Sequence, residues 1–128
     1  MRVLLDTHAF LWIVEDSPRS SPAALRLAND RAIEKVVSIV SLWEIAIKVR
    51  LKKLELAMEF DALVDLIENR AMATLLPITP GHVKRLQHLE MHHRDPFDRM
   101  LVAQALAESL SLVSGDASLD AYGVKRLW

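Results

Sequence analysis

Short apolar runs without polar alternation, each followed by a segment of helical period, constrain this chain more than any other feature. Arg2 to Leu5, Lys35 to Val40 (KVVSIV) and Leu110 to Val113 are mostly aliphatic, and the second is rich in β-branched residues. A strand that is solvated on one face alternates, whereas a strand buried on both faces does not. Thr74 to Ile78 (TLLPI) reads as a further strand despite Pro77, and Gly123 to Leu127 as a short final one. The helical segments are Thr7 to Val14, Pro22 to Arg31, Ser41 to Leu54, Glu59 to Ala73, Thr79 to Leu89 and Pro96 to Ser109. Such alternation predicts an α/β fold with parallel strands, right-handed crossovers and helices on both faces of the sheet.

The chain has 128 residues, enough for one domain with a real core and too few for two. A hydrophobic content of 52% argues against disorder. No apolar run approaches the roughly 20 residues that span a membrane. The first residues open directly into a strand with no secretory pattern. Cysteine is absent, which removes disulfides and thiolate metal sites and fits a reducing compartment. A net charge of −1 gives no bulk support to nucleic-acid binding, so any RNA affinity must come from a local patch or a bound cation.

Four acids fall where a strand or loop hands over to a helix: Asp6 after MRVLL, Glu44 in SLWE, Asp98 in RDPFD and Asp116 in SLVSGD. In an open parallel sheet these points lie at the carboxyl edge, where ligands bind. Two carboxylates about 5 Å apart repel by roughly 3 kcal/mol at an effective dielectric of about 20. A hard divalent cation removes that cost and brings phosphoryl chemistry with it. The pattern therefore points to a metal-dependent nuclease.

Each acid also has a structural explanation. Ser41 to Glu44 matches a capping box. Asp95-Pro96 matches an N-cap followed by Pro at the first helical position, with Asp98 in the first turn. Asp6 and Asp116 are placed to cap the segments that come after them. Jointly the pattern favours a site. Asp6 ends an apolar strand, and Glu44 sits among Leu42, Trp43, Ile45, Ala46 and Ile47, where a lone carboxylate is costly.

Other residues give weaker signals. Thr7 and Ser114 are placed to orient a carboxylate or water, and Asp95 to support the cluster. Lys48, Arg94 and Arg99 are candidate RNA contacts. Lys48, Arg50, Lys52 and Lys53 form a basic stretch that suits either a solvated helix end or an RNA or partner patch. His92 and His93 are expected on a solvated loop, Asp120 at an exposed helical position, and the apolar faces near Trp12 and Trp43 mainly in the core. His8 and His82 have no metal-ligand spacing.

LLDTHAFLW, SLWEIAIK, DPFDRMLVAQAL and LVSGDASLDAYG, in this order, closely resemble the PIN domain over essentially the whole chain. More narrowly they resemble a VapC-type toxin of a type II toxin–antitoxin pair. The resemblance implies a single PIN-like domain over residues 1–128, a three-layer α/β/α sandwich with about five parallel strands. It places catalytic metal ligands at Asp6, Glu44, Asp98 and Asp116. It implies Mg²⁺ or Mn²⁺ as cofactor and a cytoplasmic homodimer inhibited by a cognate antitoxin. The implied activity is an endoribonuclease acting on tRNA, rRNA or mRNA and leaving 5′-phosphate and 3′-hydroxyl ends. Three alternatives stay open. One is a catalytically silent RNA-binding or interaction module whose acids only cap helices. A Mg²⁺-dependent phosphatase of the haloacid-dehalogenase type fits less well, because it needs a second Asp where His8 stands. A response-regulator receiver fits poorly, because TLLPITP offers no acceptor Asp.

Overall fold

The computed structural model describes residues 1–128. Five strands form one parallel sheet: β1 (Arg2–Leu5), β2 (Glu34–Ser38), β3 (Thr74–Leu76), β4 (Ser111–Val113) and β5 (Arg126–Leu127), in the order β3-β2-β1-β4-β5. Six α-helices connect them: α1 (Thr7–Val14), α2 (Pro22–Asn29), α3 (Ile39–Arg50), α4 (Phe60–Glu68), α5 (Pro80–Gln87) and α6 (Pro96–Glu108). A 3-10 helix at Ala117–Tyr122 leads from β4 to β5. The predicted α/β fold is therefore present.

Strand register explains why the strands carry no polar alternation. Leu4 pairs with Val36 and Leu112, while Leu5 pairs with Val37 and Val113. Leu4, Val36 and Leu112 face one core, shared with Leu101, Val102 and Ala105 of α6. Val3, Leu5, Val37 and Val113 face the other, against Phe10 of α1, Ala24 of α2, Ile45 of α3 and Leu63 of α4. With both faces covered, every inner position must be apolar.

The sheet runs outward from β1 in both directions. Connections to β2 and β3 go one way and β4 and β5 lie on the other side, so the order reverses between β1 and β4. A crevice at the carboxyl end of such a switch point is the usual ligand site of open parallel sheets. Asp6 follows β1, and Ser114 and Asp116 follow β4.

The β2–α3 boundary departs from expectation. The sequence reads as a strand to Val40, but the strand stops at Ser38, whose hydroxyl accepts the Val40 N–H at 3.0 Å and caps α3. Ile39 and Val40 look strand-like because they are β-branched; the cap overrides that preference. Ser41 and Glu44 consequently lie inside the helix, and the expected Ser41–Glu44 capping box does not form. A capping box does form on α5, between Thr79 and His82. The exposed face of α3 carries Trp43, Ala46 and Arg50 at helical spacing. Trp43 is thus 56% exposed and edge-on to Phe97 at 5.2 Å, not in the core as expected.

Ser38 also donates to Gln104 Oε1 of α6 at 2.5 Å, tying the start of α3 to the opposite helical layer. Gln104 Nε2 in turn meets the buried His82 Nδ1 at 3.3 Å. Ser38→Ala should lower unfolding stability in urea by about 2–4 kcal/mol, through loss of the cap and a buried amide oxygen left without a donor. A change below about 0.5 kcal/mol would mean that neither bond matters.

Candidate active site

Asp6 is 6% exposed, and its Oδ1 accepts the Ala9 N–H at 2.7 Å, which caps α1. The buried Ser114 hydroxyl lies beside its carboxylate and lowers its pKa, and it accepts the Asp116 N–H at 3.1 Å. Burial raises the Asp6 pKa above the usual carboxylate value, against the lowering effect of those hydrogen bonds. Asp116 Oδ1 accepts from Ser118 N at 3.0 Å and Ser118 Oγ at 2.6 Å. These bonds, with His93, hold its pKa down despite a desolvation cost.

Asp98 stands in the first turn of α6, behind the Asp95 N-cap. Asp95 Oδ1 accepts the N–H groups of Phe97 and Asp98 at 2.8 and 3.2 Å. The Asp98 carboxylate itself takes no hydrogen bond from the chain; His93 Nε2 lies 3.5 Å away. Burial pushes its pKa up to about 7, and Asp95, Asp6 and Glu44 add to the rise by repulsion.

Glu44 is 2% exposed and fully engaged. Its Oε1 accepts from Thr7 Oγ1 at 2.6 Å, and its Oε2 is paired with Lys48 one turn along α3. Thr7 Oγ1 also lies 3.0 Å from Ser41 Oγ. Burial draws the Lys48 pKa down, but Glu44, Asp95 and Asp98 more than offset it, and the net shift is upward. The basic stretch is therefore split: Lys48 turns toward the acids, while Arg50, Lys52 and Lys53 face solvent.

The sequence places His93 on the solvated surface, and the structure corrects this. Its Nε2 lies 3.0 Å from Asp116 Oδ2. Its Nδ1 accepts the Asp95 N–H at 3.1 Å, so in the neutral ring Nε2 carries the proton and donates. The loop is folded inward because Tyr122 Oη accepts the His93 N–H at 2.9 Å and Arg99 bonds Leu89 O at 3.1 Å. The His two residues before a helix cap was the available signal, but the distant Tyr122 contact decides its direction.

The ligand atoms of His93, Asp98 and Asp116 all lie within 4.8 Å of one another. Asp6 and Glu44 flank this group and act on Asp98 electrostatically, without joining the tightest cluster. Arg94 is exposed. Arg99 is only 9% exposed, and its guanidinium bonds Leu89 O at 3.1 Å and Met91 Sδ at 3.0 Å. Asp120 is exposed, as expected, and paired with Arg126 at 2.8 Å. His92 stays at the surface, 3.1 Å from Glu90. His82 is buried and bonded to Glu108 at 2.7 Å, away from the acids.

A family model described as PIN domain matches residues 3–125. Solved structures share the fold at low identity. VapBC2 of Rickettsia felis, bound to a DNA fragment from its promoter, aligns over 99% of this chain and 98% of its own, with a TM-score of 0.72 and 14% identity. FitAcB of Neisseria gonorrhoeae covers 100% of this chain and 97% of its own, with a TM-score of 0.68 and 17% identity. VapC20 of Mycobacterium tuberculosis, described as a sarcin–ricin loop cleaving toxin, covers 95% of each chain, with a TM-score of 0.67 and 14% identity. No curated protein matches the chain.

The acids make stability depend on pH in a defined direction. The folded pKa of Asp98, about 7, lies above its ordinary 3.8. Its contribution is therefore fully present below about pH 4 and lost as pH rises through about 7. The raised pKa of Asp6 has the same sign. The lowered pKa of Asp116 acts oppositely, being lost only as pH falls below the usual carboxylate range. In EDTA, Asp98→Asn should raise Tm by at least about 4 °C at pH 8, near the effect of roughly 1 kcal/mol in a domain of this size, with little change at pH 4.5. A difference that is constant between those pH values would contradict the raised Asp98 pKa.

Proposed function

The chain belongs to the PIN domain family, and on that premise we propose that it is a metal-dependent endoribonuclease, a VapC-type toxin restrained by a cognate antitoxin. The observation that carries the proposal is Asp98: a largely buried carboxylate without a hydrogen-bond donor, placed among three other acids at the sheet's switch point. A bound cation would relieve the burial and repulsion cost of carboxylates in such a place. The donor set of carboxylate oxygens suits a hard ion such as Mg²⁺ or Mn²⁺.

Asp98, Asp116 and Asp6 are the residues that would hold the ion. When bound, a divalent cation acidifies water and offsets charge developing on the phosphate. Thr7 and Lys48 fix the Glu44 carboxylate beside the ligands, in the supporting position that sets ligand orientation. Ser114 does the same for Asp6. His93 holds Asp116 through its Nε2–H. Lys48 and the exposed Arg94 supply positive charge for the RNA backbone. Scission would proceed by water attack on a phosphodiester, without a protein nucleophile, leaving 5′-phosphate ends. The sarcin–ricin loop cleaving activity named for the Mycobacterium tuberculosis structure supports the nuclease class, and the VapBC complex supports an antitoxin partner. A homodimer is the expected assembly.

One observation favours the second reading, a binding module: Asp6, Asp95 and Asp116 all do cap helices. Incubation of end-labelled total RNA with Mg²⁺, Mn²⁺ or EDTA separates the two. The nuclease should make discrete cuts only with a metal, and Asp98→Asn and Asp6→Asn should each reduce the rate by about 100-fold or more. Undiminished metal-dependent cleavage by both variants would refute the assignment.

A further inference from the structure

Beside Asp6 and Asp116 opens a cleft of about 340 Å³, whose other walls are His8, Trp12, Arg19, Gly115 and Trp128. It is at the small end of ligand clefts, which span roughly 300–1,000 Å³. The Trp12 and Trp128 rings form a corner, with centroids 5.7 Å apart and planes at 57°. The His8 ring lies 5.5 Å from Trp12 at 30°. Both indoles are partly exposed. A Cβ at position 115 would approach Trp128 to 3.1 Å, so glycine there lets the indole lie directly on the turn that carries Asp116. Arg19 is exposed, and its guanidinium joins none of the chain's ion pairs.

We propose that this cleft receives one unpaired nucleobase of the strand being cut, stacked on Trp12 and Trp128, while Arg19 contacts a neighbouring backbone phosphate. The proposal rests on the nuclease reading for the position of the strand, since Asp6 and Asp116 belong to both the cleft and the acid cluster. Aromatic faces beside an unpaired cation are the chemistry that holds single-stranded nucleic acid. Core closure accounts for the packed side of Trp128 but not for an open aromatic corner with a free guanidinium. A base can enter only when it has left its helical stack, so the geometry selects loops or single strands over duplex RNA. Stacking of this kind tolerates any base, so it sets strandedness more than sequence.

The test is titration of a Trp43→Phe protein, whose remaining indoles are Trp12 and Trp128, with single-stranded oligoadenylate, the same strand in duplex, and inorganic tripolyphosphate. Ca²⁺ is present throughout to screen the carboxylates. Oligoadenylate should quench indole fluorescence, while duplex and tripolyphosphate should not. Trp12→Leu should weaken oligoadenylate binding, followed by anisotropy of a labelled strand, by about tenfold, and Trp12→Phe by less than about threefold. Arg19→Ala, an exposed change that spares the fold, should weaken binding and reduce the slope of log Kd against log salt by about one. Equal quenching by tripolyphosphate, or unchanged affinity in both Trp12→Leu and Arg19→Ala, would overturn the proposal. So would an absence of binding to oligoadenylate, the result expected if a protein segment fills the cleft. RNA cleavage with unchanged affinity in those variants would remove the subsite and keep the nuclease. Quenching without cleavage in Mg²⁺ or Mn²⁺ would remove the nuclease and keep a single-strand binding cleft.

Discussion

Like charges forced together at the carboxyl edge of a parallel sheet are the constraint on which the rest of this structure depends. Strands β1 and β4 lie side by side, and each ends in an acid-bearing turn. The sheet is buried on both faces, so its strands cannot slide to relieve the repulsion without moving a layer of core. The chain instead distributes donors around the acids. Asp6 receives Ser114 and Ala9, Asp116 receives Ser118 and His93, and Glu44 receives Thr7 and Lys48. Asp98 is left without a donor, and burial first, then repulsion from Asp95, Asp6 and Glu44, raises its pKa.

Capping and chemistry need not compete for the same residues. Asp6 uses one oxygen to cap α1, and Asp116 uses Oδ1 for the 3-10 helix. A carboxylate has two oxygens and several lone pairs, so a cap fixes its orientation while leaving capacity for a ligand. On this view the caps are the means by which the acids are aimed. Asp95 goes further: by capping α6 and donating its N–H to His93, it links the orientation of Asp98 to that of Asp116.

Much of this was legible in the sequence because it is local. Thr7–Val14 has the expected bounds, Pro96 opens α6 behind its Asp95 cap, and Asp6 and Asp116 cap the elements after them. Apolar runs without alternation implied the parallel sheet. What was not legible depends on distant partners or on one competing cap. Ser38 took the start of α3 away from Ser41, which moved Glu44 into a helix interior and Trp43 to the surface. His93 turns inward because Tyr122, 29 positions later, accepts its N–H. Arg99 resembles an RNA contact in sequence, yet its guanidinium is committed to the Leu89 carbonyl. No local pattern encodes these pairings.

Mn²⁺ titration followed by electron paramagnetic resonance tests most directly whether Asp98, Asp116 and Asp6 hold a divalent cation, because the signal of free Mn²⁺ falls as the ion is bound. The wild-type chain should remove Mn²⁺ from solution in competition with Mg²⁺, and Asp98→Asn should weaken that uptake by about tenfold or more, the scale on which loss of a group at a metal site is felt. Uptake that is absent in the wild type, or equal in the two proteins, would mean that the acids serve as caps alone.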